Sequence, residues 1–381
     1  MKILTIIGAR PQIIKAAALS RAINKHFSSS IQEVIVHTGQ HYDTNMSQVF
    51  FDELGIPAPN YNLEVGSASH GEQTAQMISG IEKILQIEKP DYIILYGDTN
   101  STLAGAIAAS KIHIPIVHIE AGLRSFNKSM PEEVNRILCD HVSTFLFTPT
   151  KTGYQNLLNE GFKENLGVFT PDNPGIFHCG DVMYDNSLFF ADIVEEKTSI
   201  LSDLDVLNNQ FILATIHRDH NTDNPLHLES IFEAIVDIAL EKNIQVVLPL
   251  HPRTKKKMES LPMELREQLN GNANILIIPP VSFIEMIALE KNAQLIITDS
   301  GGVQKEAYYF HKPCVILRPE TEWVEIIEAG TGILAGAEKE KIINAVKLLL
   351  NKSLAFPSIY GDGKAAEFIC QKLLDNQKIQ S

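Results

Sequence analysis

The stretch Leu295-Ile296-Ile297-Thr298-Asp299-Ser300-Gly301-Gly302-Val303-Gln304-Lys305-Glu306 decides how the rest of the chain is read. Leu295 to Thr298 is a short apolar run with two β-branched isoleucines, the pattern of a buried strand. Asp299 and Ser300 are residue types that cap helices, two glycines follow, and a helical run begins near Val303. A strand that stops at a Ser-Gly-Gly turn and starts a helix leaves unpaired N–H groups at the helix N-terminus. Phosphate binds well there, and glycines let it approach the backbone closely. The helix dipole adds roughly 0.3–1 kcal/mol for such an anion. Glu306, on the first turns of that helix, is placed to accept from ribose hydroxyls. On these residues alone, an ordinary strand-to-helix turn reads the same way.

Working outward, the same punctuation recurs. Ile3–Ile7 is a buried-type strand, Gly8-Ala9-Arg10-Pro11 turns, and a helix runs from Gln12 to about Asn24, with Pro11 suited to its first turn. Arg10 and Lys15 therefore sit where a strand ends and a helix begins, the side on which open α/β sheets bind ligands. Strands follow at 34–38, 92–96 and 116–119, ending in Gly39-Gln40-His41-Tyr42-Asp43, Gly97-Asp98-Thr99 and Glu120-Ala121-Gly122-Leu123-Arg124. Helices are expected at 45–54, at 72–86, from Ser101 to Lys111, and from Pro131 onward. Asp98 also suits a helix cap, worth about 1 kcal/mol, and Glu132 suits a first-turn acid favoured by the dipole. Residues 171–180, with Pro171, Pro174, Gly175 and Gly180, read as a hinge. The pattern then restarts with strands at 211–216, 245–250, 275–278 and 314–317, the first two ending in His217-Arg218 and His251-Pro252-Arg253 and the last in Arg318-Pro319-Glu320-Thr321-Glu322. Alternating strands and helices describe parallel, doubly wound sheets. The expected architecture is α/β: two Rossmann-like domains, 1–170 and 171–361, with strand ends facing a shared cleft and a C-terminal helix in 362–381 crossing back onto the first.

Composition narrows the function classes. The 381 residues, 44% hydrophobic and 20% charged, suffice for two domains with full cores. A net charge of −14 argues against a non-specific nucleic-acid or anionic-membrane binder. Cys139, Cys179, Cys314 and Cys370 form no CxxC pair and read as reduced core cysteines of a cytoplasmic protein. The Met1–Ile7 start is too short for a signal peptide, and no apolar run is long enough to span a membrane. His217 and His251 stand on separate strand ends without an HExxH or cysteine partner, so no metal is expected. No GxGxxG, GxxxxGK[ST] or GxSxG occurs, which argues against a dinucleotide cofactor, a P-loop NTPase and a nucleophile elbow. What remains is a set of acids (Asp98, Glu120, Glu132), cations beside them (Arg10, Lys15, Arg136), and a phosphate turn with His217 opposite. Acids among cations suit proton transfer, and cations with helix N-termini suit a diphosphate leaving group.

These residues lie in a longer set: Gly8-Ala9-Arg10-Pro11-x-x-x-Lys15, Thr38-Gly39-Gln40-His41, Gly97-Asp98-Thr99, His118-x-Glu120-Ala121-Gly122-Leu123-Arg124, Pro131-Glu132-Glu133-x-Asn135-Arg136, Thr215-x-His217-Arg218, His251-Pro252 and Thr298-Asp299-Ser300-Gly301-Gly302-x-Gln304-x-Glu306. Taken in order, the set resembles the non-hydrolysing UDP-N-acetylglucosamine 2-epimerases, over nearly the whole chain. The resemblance implies a fold like that of two-domain (GT-B) glycosyltransferases, no cofactor, a UDP-sugar substrate, and a homodimer. It implies a reaction in which a base removes the sugar's carbon-2 proton as UDP leaves carbon 1. A 2-acetamidoglucal stays bound, and UDP returns with a proton delivered to the opposite face. Carried over residue by residue, Asp98, Glu120 and Glu132 are the acid–base carboxylates, and His217 assists UDP departure. Arg10, Lys15, Arg136 and His251 meet phosphates and sugar, and Ser300, Gly301, Gly302 and Glu306 hold UDP. Four departures stand out: Gln12 where the family usually has Glu, Asp219-His220-Asn221 where it often has Glu-Asn after His217-Arg218, Trp323 within Thr321-Glu322-Trp323-Val324-Glu325, and a short 125–130 segment. They resemble a subgroup acting on UDP-2,3-diacetamido-2,3-dideoxyglucuronate, with Lys128 and Arg318 as the cations considered for its carboxylate. Some members bind a second UDP-sugar near the Gln40-His41 loop. A glycosyltransferase of the same fold and a hydrolysing 2-epimerase are the alternatives.

Overall fold

In the first part of the chain, seven parallel strands form one sheet: β1 (Lys2–Ile7), β2 (Gln32–His37), β3 (Tyr61–Asn62), β4 (Tyr92–Tyr96), β5 (Ile116–Ile119), β6 (Phe145–Thr148) and β7 (Gly175–His178), in the order β3-β2-β1-β4-β5-β6-β7. The structure, a computed structural model, describes residues 1–39, 55–165, 167–206, 210–242 and 244–380. The helix expected at 45–54 and the Gln40-His41 loop lie outside the described residues. The central residues of the strands are mostly apolar because helices cover both faces of a parallel sheet; all of Tyr92–Tyr96 is buried. Strand order reverses between β1 and β4, and such a switch point opens a crevice at the strands' C-terminal ends. Helix Arg10–Ala22 leaves β1 there, with Pro11 in its first turn. Helix Asn100–Lys111 leaves β4, with the Thr99 hydroxyl accepting from the Thr102 amide at 3.3 Å. Helix Pro131–Val142 follows β5.

The second sheet has six parallel strands, β8 (Phe211–Thr215), β9 (Gln245–Pro249), β10 (Ile275–Ile278), β11 (Leu295–Thr298), β12 (Cys314–Ile316) and β13 (Gly332–Leu334), ordered β10-β9-β8-β11-β12-β13. Its switch point lies between β8 and β11. The core holds Ile212, Phe232, Ile235, Leu248, Ile297, Val315 and Val346. Helix Gly301–Tyr309 starts at the first glycine rather than at Val303, with Ser300 as its cap.

The chain divides into two units, Met1–Asn186 with Ser358–Ser381, and Ser187–Pro357. The segment 171–180, expected to be a hinge, instead carries β7. It pairs with β6 from Phe145↔Gly175 to Thr148↔His178, and Phe147 and Phe177 stack at 5.4 Å between centroids. The boundary falls inside helix Val182–Lys197. Helix Ala365–Gln380 belongs to the first unit: Asn376 donates to the Tyr92 hydroxyl at 2.9 Å, and the Ala365 and Ala366 amides donate to Asp185 at 3.1 and 2.8 Å. Cys139, Cys314 and Cys370 are buried and Cys179 is half-buried. Among the described residues, no helix is long and apolar enough to cross a membrane.

Candidate functional site

In the first unit, β1, β4 and β5 are neighbours, and their C-terminal ends bring together Lys15, Asp98 and Glu120. Gly97 turns at φ +62° and Glu120 at φ +76°, a backbone region that side chains with a Cβ rarely enter. A strained non-glycine residue persists only when its surroundings hold it, and such residues cluster at functional sites. The Glu120 amide is held by the Phe147 carbonyl at 3.1 Å, and its carboxylate forms an ion pair with Lys15. A Cβ on Gly97 would lie 3.1 Å from both the Glu120 carboxylate and the Lys15 ammonium, so glycine leaves room for the pair. Asp98 is partly exposed and its carboxylate meets the buried guanidinium of Arg136. Glu133 holds that guanidinium from the other side at 2.7 Å and accepts the Ser125 and Phe126 amides at 2.9 Å each. Burial would raise the Glu133 carboxyl, but those amides and Arg136 hold it below its ordinary value. Asn135 donates to the Asp98 carbonyl at 2.9 Å. Arg10 and Glu132 are exposed on the first turns of their helices.

Gln12, which stands where the family usually has Glu, is an internal residue. It is buried at 1% exposure. Its carbonyl oxygen accepts the Gly8 and Ala9 amides at 3.0 and 3.1 Å, and its amide donates to the Tyr96 carbonyl and Thr102 hydroxyl at 3.1 and 3.0 Å. Every polar group of the side chain is engaged in fixing the β1 and β4 turns, so Gln12 is no sugar contact.

In the second unit, Thr215 and Thr298 end β8 and β11 side by side, their hydroxyls 2.6 Å apart. Asp299 is fully buried. It accepts the His217 amide at 3.1 Å on each oxygen, the Arg218 amide at 3.1 Å and the Asn221 amide group at 3.0 Å. It thus shapes the 217–221 loop, while Ser300 caps the helix. The His217 imidazole, 47% exposed, stands 3.3 Å from Asp299. Desolvation outweighs Asp299 and lowers its proton affinity below that of an ordinary histidine. Helix Gly301–Tyr309 opens with two glycines: a Cβ on Gly301 would meet Trp323 Nε1 at 3.6 Å, and one on Gly302 nothing nearer than Ser300 Oγ at 3.8 Å. The helix start is therefore open to an anion. Glu306 is 8% exposed and lies beside Glu290, whose carboxyl is pushed well above its ordinary value by burial and by that second acid. His251 caps helix Pro252–Met258 through its ring nitrogen at 3.3 Å. A pocket of about 560 Å³ is lined by His217, Arg218, His220, Asn221, Arg318 and Glu320, among others. Arg318 is held bidentately by Glu322 at 2.9 Å on both arms.

The structure thus joins Lys15 to Glu120 and Asp98 to Arg136, and it places His217 and the Ser300–Gly302 turn at the second switch point. Sequence reasoning missed the supports. The Glu133–Arg136 spacing of three within a helix was a usable signal; the roles of Asn221 and Asp299, which depend on partners far off in the chain, were not readable.

Two parallel doubly wound sheets, each with its polar residues at the switch point, define an α/β protein of the glycosyltransferase-like two-domain fold. A glycosyltransferase from Rickettsia africae shares it with a TM-score of 0.56 at 16% identity, covering 100% of this chain and 98% of that one. Residues 22–374 match the family model described as UDP-N-acetylglucosamine 2-epimerase. The Pseudomonas aeruginosa UDP-2,3-diacetamido-2,3-dideoxy-D-glucuronate 2-epimerase is 48% identical over 98% of this chain and 99% of its own. The structure of the Methanocaldococcus jannaschii UDP-GlcNAc 2-epimerase in complex with UDP-GlcNAc and UDP matches with a TM-score of 0.83 at 44% identity, covering 98% of this chain and 100% of that one. The chain belongs to the UDP-N-acetylglucosamine 2-epimerase family and is an isomerase acting on a UDP-sugar.

Proposed function

We propose that the enzyme inverts carbon 2 of a UDP-linked acetamido sugar, gluco to manno, by reversible loss of UDP through a 2-acetamidoglucal. The observation that carries this reading is the pair of strand-end carboxylates, Asp98 and Glu120, each tied to its own cation, with Glu120 in a strained backbone conformation. The carbon-2 proton is weakly acidic, so its removal needs a positioned base and a leaving diphosphate stabilised as charge develops. Two faces need two proton-handling groups. Asp98 and Glu120, with Glu132 near them in the family motif, fill those roles. Arg10, Lys15 and Arg136 offset negative charge at the sugar and phosphates. His217, in its less basic state, donates a hydrogen bond to the departing diphosphate, which rests on the open turn at Ser300, Gly301 and Gly302. Glu306 takes the ribose, and His251 borders the same site.

The favoured substrate is UDP-2,3-diacetamido-2,3-dideoxyglucuronate, followed by UDP-N-acetylglucosamine. The high identity of the Pseudomonas aeruginosa relative over its full length supports the first; Trp323 and the short 125–130 segment agree with it, and Gln12 no longer contributes. Of the cations considered for the carboxylate, Arg318 is already paired with Glu322, which leaves exposed Lys128. A site with groups set for a carboxylate discriminates against a sugar that leaves them unpaired, by a factor of up to about 10⁴.

The test is incubation with each UDP-sugar alone, with the product read by NMR. A manno-configured UDP-sugar is expected without acceptor; free sugar with UDP marks a hydrolysing epimerase, and turnover only with an acceptor marks a glycosyltransferase. Equal or better kcat/KM on UDP-N-acetylglucosamine returns the chain to the ordinary 2-epimerases. The homodimer implied by the resemblance is checked by light scattering, where a mass near 42.3 kDa would remove it.

A further inference from the structure

We infer that His118 and Asp140 are positioning residues for the proton-transfer step, one buried charged pair that fixes both turns carrying Asp98 and Glu120. The inference rests on the proposed roles of those two carboxylates. His118 lies in β5, two residues before Glu120, and both its side chain and that of Asp140 are 0% exposed. Nδ1 stands 2.6 Å from Asp140 Oδ1, and Nε2 stands 2.8 Å from the Gly97 carbonyl. Both partners are acceptors, so both ring nitrogens carry protons and the ring is an imidazolium. Burial opposes that charge, but Cys139 and Asp140 lift the proton affinity well above that of an ordinary histidine. The other Asp140 oxygen accepts the Gly122 amide at 3.1 Å and pairs with Arg124 at 2.8 Å. Arg124 in turn grips Glu160 at 2.6 and 2.7 Å.

The two tethers land on the two turns that matter. Gly97 precedes Asp98, and Gly122 closes the turn that begins at Glu120. Gly97, Glu120 and Gly122 all have positive φ, at +62°, +76° and +77°; the glycines adopt it freely, but Glu120 holds it only where neighbours over-determine it. The His118–Asp140 pair supplies that constraint from beneath the sheet's end, grasping a carbonyl on one turn and an amide on the other. His118 has no free nitrogen and no exposure, so it acts on the reaction only through the turns. A displacement of about 1 Å in a catalytic group costs on the order of 10² in rate. A purely structural ion pair would instead lower stability and leave the turnover of each folded molecule unchanged.

The experiment compares wild type with Asp140→Asn and His118→Gln, normalised to folded enzyme by UDP titration. Asp140→Asn keeps the shape but turns one acceptor into a donor, facing either His118 or the Gly122 amide. We expect kcat to fall about 10²-fold with KM within about threefold, UDP affinity unchanged, and more free 2-acetamidoglucal released per epimer formed, because reprotonation depends on the same turns. Variants that fold and keep the wild-type kcat and glycal release overturn the inference, as does activity that merely follows the folded fraction. If neither variant folds, ¹⁵N NMR of the wild-type imidazoles decides. Both His118 nitrogens should stay protonated to at least about pH 8, beyond the ordinary histidine range, and a neutral ring in the folded enzyme removes the Gly97 tether. Failure of wild type itself to give any epimer would instead count against the proposed function.

Discussion

Asp98 reaches solvent through one side and a guanidinium through the other, and that guanidinium is already held by Glu133. Replacing the carboxylate by Asn therefore leaves Arg136 with a partner and the local fold intact. Asp98→Asn should lower turnover by roughly 10²–10⁴ while UDP affinity stays near wild type, since Arg136 keeps Glu133 as its partner and the other proposed UDP contacts do not touch Asp98. A mutant with most of its turnover would remove Asp98 from the mechanism. Gly97→Ala probes the same spot by crowding: the methyl would press on both members of the Lys15–Glu120 pair, at a φ that favours glycine. Activity should fall by more than the stability change explains, measured as kcat against thermal midpoint; a fall in midpoint with full kcat would show that the pair tolerates displacement. At this scale the sequence showed which residues end the strands. It did not show that Gln12 is used up on backbone groups, because its four partners come from both Gly8-Ala9 and the distant Tyr96 and Thr102.

The β11 strand, its turn and helix Gly301–Tyr309 were legible in outline because an apolar run, a cap residue and two glycines are local signals. The short strands β6, β7 and β13 were not: Gly175 and the nearby prolines hide four residues whose pairing with β6 is decided by tertiary packing. The open space at Gly302 separates ligand binding from folding within this element. A valine there would have its Cβ no closer than 3.8 Å to any group outside its own stretch of helix backbone, yet it would stand in the path proposed for the diphosphate. Losing one charge-assisted hydrogen bond costs roughly 1.5–3 kcal/mol, or about 10–10²-fold in UDP affinity. Ser300→Ala with Gly302→Val should show that loss by calorimetry. Unchanged UDP binding in the folded variant would reduce the motif to an ordinary turn.

Across the whole molecule, the acid-rich composition was plain from the sequence, but which carboxyls are buried was not, and burial governs stability against pH. Glu33 and Glu290 are pushed up by burial, Glu33 despite the Ser20 and Thr5 hydroxyls and Glu290 with Glu306 adding to the rise. Burial lifts Asp185 to about 7 against the pull of the Ala366 and Ala365 amides. Each of these binds a proton in the folded chain at a pH where the unfolded chain, with carboxyls near about 4, has released it, so each weakens the fold as pH rises. The window for Asp185 runs from about 4 to about 7, and Glu290 adds a loss of the same sign. Glu133, Asp140 and Glu322 act in the opposite sense: against burial, Glu133 is held low by amides and Arg136, Asp140 by His118 and Arg124, and Glu322 by Arg318. Their stabilisation is complete above about pH 4 and vanishes below it. The two groups together place maximal stability on the acid side of neutrality, and the thermal midpoint should be higher near about pH 5.5 than near about pH 8. Glu290→Gln isolates one contributor. The amide keeps the shape of the carboxyl and has no proton to lose, so the variant should equal or exceed wild type at alkaline pH and show a shallower decline. Midpoints measured across this range that fall in parallel for the two proteins would mean that Glu290 is already ionised in the fold, and burial would then not set its charge.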